Sequence, residues 1–142
     1  MSLQDKTLFI TGASRGIGKA IVWTLAREGA RVAFVYRSDT GAAEQLVSDL
    51  ALDQHEVIAI QADVSNKQEA DNVVSKLFDD WGKIDILVNN AGIIRREDAL
   101  DFSEADWDAV MDTNLKTLFF LCQAAARHMT GWASQDGERG KI

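Results

Sequence analysis

Residues able to hold an anion gather near the start of the chain, where Gly12, Gly16 and Gly18 follow the apolar run Leu8-Phe9-Ile10. Glycine takes φ > 0 and lets a ligand approach the backbone. A helix opening at such a loop adds unpaired N–H groups and a partial positive charge. A phosphate-bearing cofactor is the natural occupant. The spacing, T-G-x-x-x-G-x-G, is not a P-loop, because Ala13 stands five residues before Gly18 and Ala20 follows Lys19. Nor is it the strict G-x-G-x-x-G fingerprint, because Ile21 takes the place of the third glycine. Taken alone, the cluster also reads as an ordinary strand-to-helix turn.

Three further polar turns carry groups suited to the same ligand: Arg37-Ser38-Asp39, Asp63-Val64 and Asn89-Asn90-Ala91-Gly92. What must position them is an alternation of short apolar runs and amphipathic segments. The glycine loop leads into a helix with Ile17, Ala20, Ile21, Thr24 and Leu25 at helical spacing, stopped by Gly29. Arg31–Tyr36 and Val57–Ile60 read as buried strands, separated by a helix marked by Ala43, Leu46, Val47 and Leu50. Ser65-Asn66-Lys67-Gln68 fits a capping box with the serine as cap. The helix behind it presents Ala70, Val73, Val74, Leu77, Phe78 and Trp81, and Gly82 closes it.

Ile84–Val88 is the fourth strand. A loop from 93 to 102 and a Ser103 cap precede one long helix with Trp107, Val110, Met111, Leu115, Leu118, Phe119 and Cys122 at helical spacing, ending at Met129-Thr130-Gly131-Trp132. A polar turn follows, and Lys141-Ile142 stand where a fifth strand begins.

Strands with near-continuous apolar runs, alternating with helices, predict an α/β fold: a doubly wound parallel sheet of Rossmann type, truncated at the start of the fifth strand. One domain over 1–142 is expected from the length. In that arrangement the strands run outward as 3-2-1 and the fourth lies on the far side of the first. The resulting crevice opens at the carboxyl ends of the strands. All four polar turns fall there, and their convergence outweighs the glycines alone.

A net charge of −7 argues against nucleic acid or an anionic membrane as partner. No apolar run reaches membrane-spanning length and the first residues lack a signal-peptide layout, so a cytoplasmic location is expected. His55 and His128 have no ligand-spaced companions, so no metal site is expected, and His128 suits a helix C-terminus. Cys122, in an apolar helical pattern, reads as a small core or interface residue.

With Thr11–Gly18, Asp63-Val64, Asn89–Gly92 and Asn114 in place, the chain resembles the short-chain dehydrogenase/reductase family over essentially its whole length. The resemblance implies a nicotinamide dinucleotide in the crevice and hydride transfer between that cofactor and a carbonyl or secondary alcohol. It assigns the backbone around Gly12, Ser14, Gly16, Ile17 and Gly18 to the pyrophosphate and neighbouring ribose. Asp63 and Val64 go to the adenine, with a local turn bond as the alternative for Asp63. Asn90, Ala91 and Gly92 go to the adenosine-side ribose and the support of the glycine loop. Asn114, a poor mid-helix residue, is implied as a catalytic-site residue that distorts its helix and helps hold a water relay; a solvent-facing position or a helix contact is the bland alternative.

Cofactor choice rests on the end of the second strand, where NAD binders place a carboxylate for the ribose. Here Tyr36-Arg37-Ser38 supplies none, and Arg15 adds a second guanidinium suited to a 2′-phosphate. NADP(H) is favoured, and Asp39 keeps NAD(H) possible.

Tyr36-Arg37-Ser38 and Gln61–Ser65 look most like 3-oxoacyl-acyl-carrier-protein reductases. The span from Asn89 to Met129, with Gly92-Ile93-Ile94-Arg95-Arg96, looks more like sugar-acid dehydrogenases such as 2-deoxy-D-gluconate 3-dehydrogenase. The family's catalytic serine and Tyr-x-x-x-Lys pair have no match: Tyr36 is the sole tyrosine, and Ser134 is poorly placed. The chain is therefore expected to be the cofactor-binding half of such an enzyme, inactive alone for want of a proton donor. The alternative is a non-catalytic dinucleotide-binding module or truncated gene product. Apolar Trp107, Leu118 and Phe119 lead to the expectation of a homo-oligomer, tetrameric in the complete family fold.

Overall fold

The four apolar runs become strands β1 (Thr7–Thr11), β2 (Arg31–Tyr36), β3 (Val57–Gln61) and β4 (Ile86–Val88) in the computed structural model, which describes residues 3–131 and 140–142. Between them lie helices α1 (Gly16–Arg27), α2 (Thr40–Leu52) and α3 (Lys67–Trp81). Every strand pair is parallel and the order is β3-β2-β1-β4, with Leu8 opposite Val32 on one side and Ile86 on the other. The chain thus reverses its direction across the sheet after β3, as a doubly wound fold requires. Lys141 continues the sheet past β4: its N–H donates to the Asp85 carbonyl at 2.8 Å, and its own carbonyl accepts from Leu87 at 2.9 Å. The turn expected before it, with Trp132 and Ser134, lies outside the described residues.

Strand periodicity divides the apolar residues into two cores. Leu8, Ile10, Val32 and Phe34 face α1 and α2, packing with Val22, Ala26, Leu46 and Leu50. Phe9, Ala33, Val35 and Leu87 face the other way, onto Val74 and Leu77 of α3 and Leu121 and Ala125 further along. His128 stacks on Phe78 with ring centroids 4.2 Å apart, which helps seat the last helix on α3.

Several local expectations shift. The inward face of α1 is Gly18, Val22 and Ala26, while Ile17, Ala20 and Thr24 are exposed and Ile21 and Leu25 half-buried. The loop delivers Gly18 against the sheet, and that sets the phase of the helix behind it. Strand β3 is half-buried from Ile58 to Ile60 and exposed at Gln61 because it forms the sheet edge. Strand β4 begins at Ile86 rather than Ile84, since the Asp85 carboxylate, in place of a backbone carbonyl, accepts the N–H of Thr7 at 2.8 Å. The cap of α3 is Asn66, not Ser65. Its Oδ1 accepts from Gln68 and Glu69 N–H at 2.9 and 3.3 Å, while the Ser65 hydroxyl is drawn to Asp63.

The long last helix is also interrupted. After α4 (Glu104–Met111), capped by Ser103 as expected, comes a π-helical turn, Asp112–Thr117, and then α5 (Leu118–Gly131). No residue of α4 is buried: of the apolar face read across Trp107, Val110 and Met111, Trp107 is exposed and the other two are half-buried. No helix of the described residues is long and apolar enough to cross a membrane.

Candidate functional site

The four strand-end turns meet in one cleft of about 230 Å³, with Tyr36, Asp39, Ile93 and Thr113 also in its wall. Of the residues singled out from sequence, Gly12, Ser14, Arg15, Arg37, Ser38, Asp63, Val64, Asn90, Ala91 and Gly92 line it. Gly16, Ile17, Gly18 and Asn114 lie outside that lining. The volume falls below the roughly 300–1,000 Å³ of enclosed ligand pockets, as suits an open groove taking one part of an extended ligand.

The floor is a zipper between the ends of β1 and β4. The Thr11 hydroxyl accepts the N–H groups of Asn90 and Ala91 at 3.1 and 3.0 Å. In return Asn90 Nδ2 donates to the carbonyls of Thr11 and Gly12 at 3.1 and 2.7 Å. Two glycines permit this closeness. Gly12 sits at φ +67°, and a Cβ there would stand 2.8 Å from Ala91 Cα; a Cβ on Gly18 would stand 2.6 Å from both Asn90 Nδ2 and the Gly12 carbonyl. Gly18 therefore supports the loop from beneath, where no side chain fits. Thr11 opens the motif read from sequence but was given no role there, although a small β-branched hydroxyl residue at a strand end, just before the first glycine, was the available signal.

The cleft wall carries two arginines and two aspartates, and what suits it to an anion is the start of α1. Helices α2, α3 and α4 are capped by the side chains of Asp39, Asn66 and Ser103, whereas α1 starts at Arg15 with no side-chain cap and no acidic residue in its first turn. Its first N–H groups and its dipole are left for a ligand. Arg27, Arg31 and Arg95 each have a carboxylate partner, but Arg15 and Arg37 have none among the described residues. Two lining guanidiniums therefore present unused donors. Asp39 lies in the same wall, with Oδ1 engaged by the Ala42 N–H at 3.1 Å.

The turn carrying Asp63 realises the local bonding that was its alternative reading. Asp63 Oδ1 accepts from the N–H and hydroxyl of Ser65 at 2.9 and 2.7 Å, which orients the carboxylate and leaves its other oxygen available. Asn114 sits inside the π-helical turn and bonds Ile93 twice, Oδ1 accepting from its N–H at 2.9 Å and Nδ2 donating to its carbonyl at 2.8 Å. One donor hydrogen and one lone pair of the amide remain. Neighbouring Asn89 donates to Cys122 Sγ at 3.2 Å, so the half-buried thiol anchors the end of β4 against α5.

The chain matches the family model described as "short chain dehydrogenase" over residues 6–142. It is 39% identical over 128 residues to a 3-oxoacyl-[acyl-carrier-protein] reductase of Synechocystis, covering 90% of this chain and 52% of that protein. To a 2-dehydro-3-deoxy-D-gluconate 5-dehydrogenase of Escherichia coli it is 37% identical over 141 residues, covering 99% of this chain and 53% of that one. Among solved structures, a Burkholderia cenocepacia short chain dehydrogenase in complex with NADP superposes with a TM-score of 0.86 at 40% identity, over 90% of this chain and 52% of that one. The chain spans about half the length of the curated relatives it matches, 52% and 53% for these two.

Proposed function

The chain belongs to the short chain dehydrogenase family, and from that premise we propose that residues 1–142 form one dinucleotide-binding domain of an oxidoreductase that interconverts a carbonyl and a secondary alcohol. The support that carries most weight is the cleft itself, built from the ends of all four strands, with an uncapped helix start and two arginines lacking carboxylate partners on its wall. A bound nicotinamide dinucleotide would supply the hydride-transfer chemistry. The protein's own part is to bind and orient. N–H groups from Gly12 to Gly18 take the pyrophosphate, Arg15 and Arg37 the 2′-phosphate of NADP(H), Asp63 and Val64 the adenine, and Asn90 to Gly92 the ribose. Asn114 fixes the Ile93 wall and keeps one donor and one acceptor for an ordered water.

The cofactor preference rests on charge: Asp39 is occupied as the α2 cap, while Ser38 and Arg37 offer donors. The NADP complex of the Burkholderia protein supports the same choice. The reactions of the two relatives support a 3-oxoacyl or sugar-acid substrate. Binding and turnover separate within the 142 residues, because their one tyrosine, Tyr36, is buried at the end of β2 and no Tyr-x-x-x-Lys pair is present. That observation also favours the second reading, a dinucleotide-binding module without catalysis of its own. Trp107 and Phe119 are each more than half exposed, whereas Leu118, expected to be exposed with them, is half-buried; the exposed pair, joined by Leu115, supports association of copies.

Titration of the folded chain with NADPH and NADH, followed by nucleotide fluorescence, tests the site. NADPH binds tighter by about tenfold or more, the value of one charge-assisted contact. A folded sample that binds neither nucleotide would refute the assignment, and ketone turnover by the 142 residues alone would refute the division of labour.

A further inference from the structure

The π-helical turn reaches both sides of the cleft. Thr113 lines it, and Asn114 holds Ile93 behind β4. Thr117, three residues on, sends its hydroxyl elsewhere and donates to the Ser65 carbonyl behind β3 at 3.2 Å. On an α-helix residues three apart share a face. The wider i→i+5 turn spreads them, so one turn grips two separate loops.

Thr117 is 3% exposed, and a polar group so placed has little recourse to water if its bond is lost. Its partner is well chosen. Ser65 follows Val64 directly and donates twice to the Asp63 carboxylate. A continuous path therefore runs from the Thr117 hydroxyl through Ser65 to Asp63 in the cleft wall.

We propose that Thr117 is a positioning residue for the adenosine end of the cofactor: by fixing Ser65 it fixes Asp63 and Val64, and the π-helical turn sets the spacing between this wall and the Asn90–Ile93 wall. The inference rests on the cofactor reading given above. Thr117→Val keeps the shape and removes the donor, whereas Thr117→Ser keeps the donor.

The test is calorimetric titration of the parent chain and both variants with NADPH and with adenosine 2′,5′-bisphosphate, which lacks the nicotinamide, at a temperature where each is folded by circular dichroism. Thr117→Val weakens both ligands by about fivefold to tenfold, and Thr117→Ser stays within about twofold of the parent. Unchanged affinity in Thr117→Val overturns the role of Thr117 and leaves the cofactor reading standing. Equal losses in the valine and serine variants overturn it too, since the hydroxyl is then not the cause. A parent chain that binds neither ligand overturns the cofactor reading, and this inference with it. If the valine variant does not fold, Thr117→Ala replaces it with the same expected loss.

Discussion

The two ends of the parallel sheet are chemical opposites. At the amino ends of the strands, charges and buried polar groups are matched. Asp85 accepts from the Thr7 N–H at 2.8 Å and pairs with Lys83 at 3.1 Å, and Lys83 also donates to the Asp5 carbonyl at 2.8 Å. Arg31 pairs with Glu56 and lies 4.4 Å over the Trp81 ring. At the carboxyl ends the balance is left open, with an uncapped α1, the guanidiniums of Arg15 and Arg37, and glycines where side chains would fill the space. Satisfied groups hold a fold together, and unsatisfied ones at a cleft are available to a ligand. The contrast separates the end that stabilises from the end that binds.

Three substitutions probe that separation. The largest effect is expected from Asp85→Ala, which strips the acceptor from a buried N–H and the partner from Lys83. Urea unfolding should show a loss of about 3 kcal/mol, and NADPH affinity of the folded protein should stay within about twofold, because distant sites act independently. A large affinity change would break the comparison.

Arg37→Ala should do the reverse, weakening NADPH by about tenfold to a hundredfold through one lost charge-assisted contact. NADH affinity and the urea midpoint should hardly move. Equal losses for both nucleotides would remove Arg37 from the 2′-phosphate.

The smallest effect belongs to Asp39→Ala, at a residue that serves both purposes. Losing the α2 cap should cost about 1 kcal/mol of stability in the same unfolding assay. Removing a carboxylate from the cleft wall should tighten NADPH by about threefold, since like charges repel across a partly solvated groove. Weaker NADPH binding instead would make Asp39 a ligand contact.

Much of this was readable in the chain. Near-continuous apolar strands such as Arg31–Tyr36 announced a parallel sheet because burial on both faces leaves no polar alternation. The face of α3 from Ala70 to Phe78 emerged as spaced, since a regular helix converts spacing into direction. The turns at Gly12, Arg37, Asp63 and Asn90 were legible as one cluster, because a parallel α/β order alone puts strand carboxyl ends on one edge.

What sequence could not supply were choices between near-equal local partners. Ser65 and Asn66 can each cap α3, and the proximity of Asp63 to the serine hydroxyl decided for Asn66. Ile17 and Gly18 compete to face the sheet from α1, and the crowding of Asn90 and Gly12 around Gly18 settled the phase. The break at Asp112–Thr117 and the two grips of Asn114 and Thr117 depend on carbonyls and N–H groups brought near from 21 and 52 residues away. Sequence by itself determined the order of elements and the edge on which the polar turns gather, because periodicity and connection rules are local. Only the tertiary structure decided which side chain meets which carbonyl, because those bonds join groups that become neighbours after the sheet has formed.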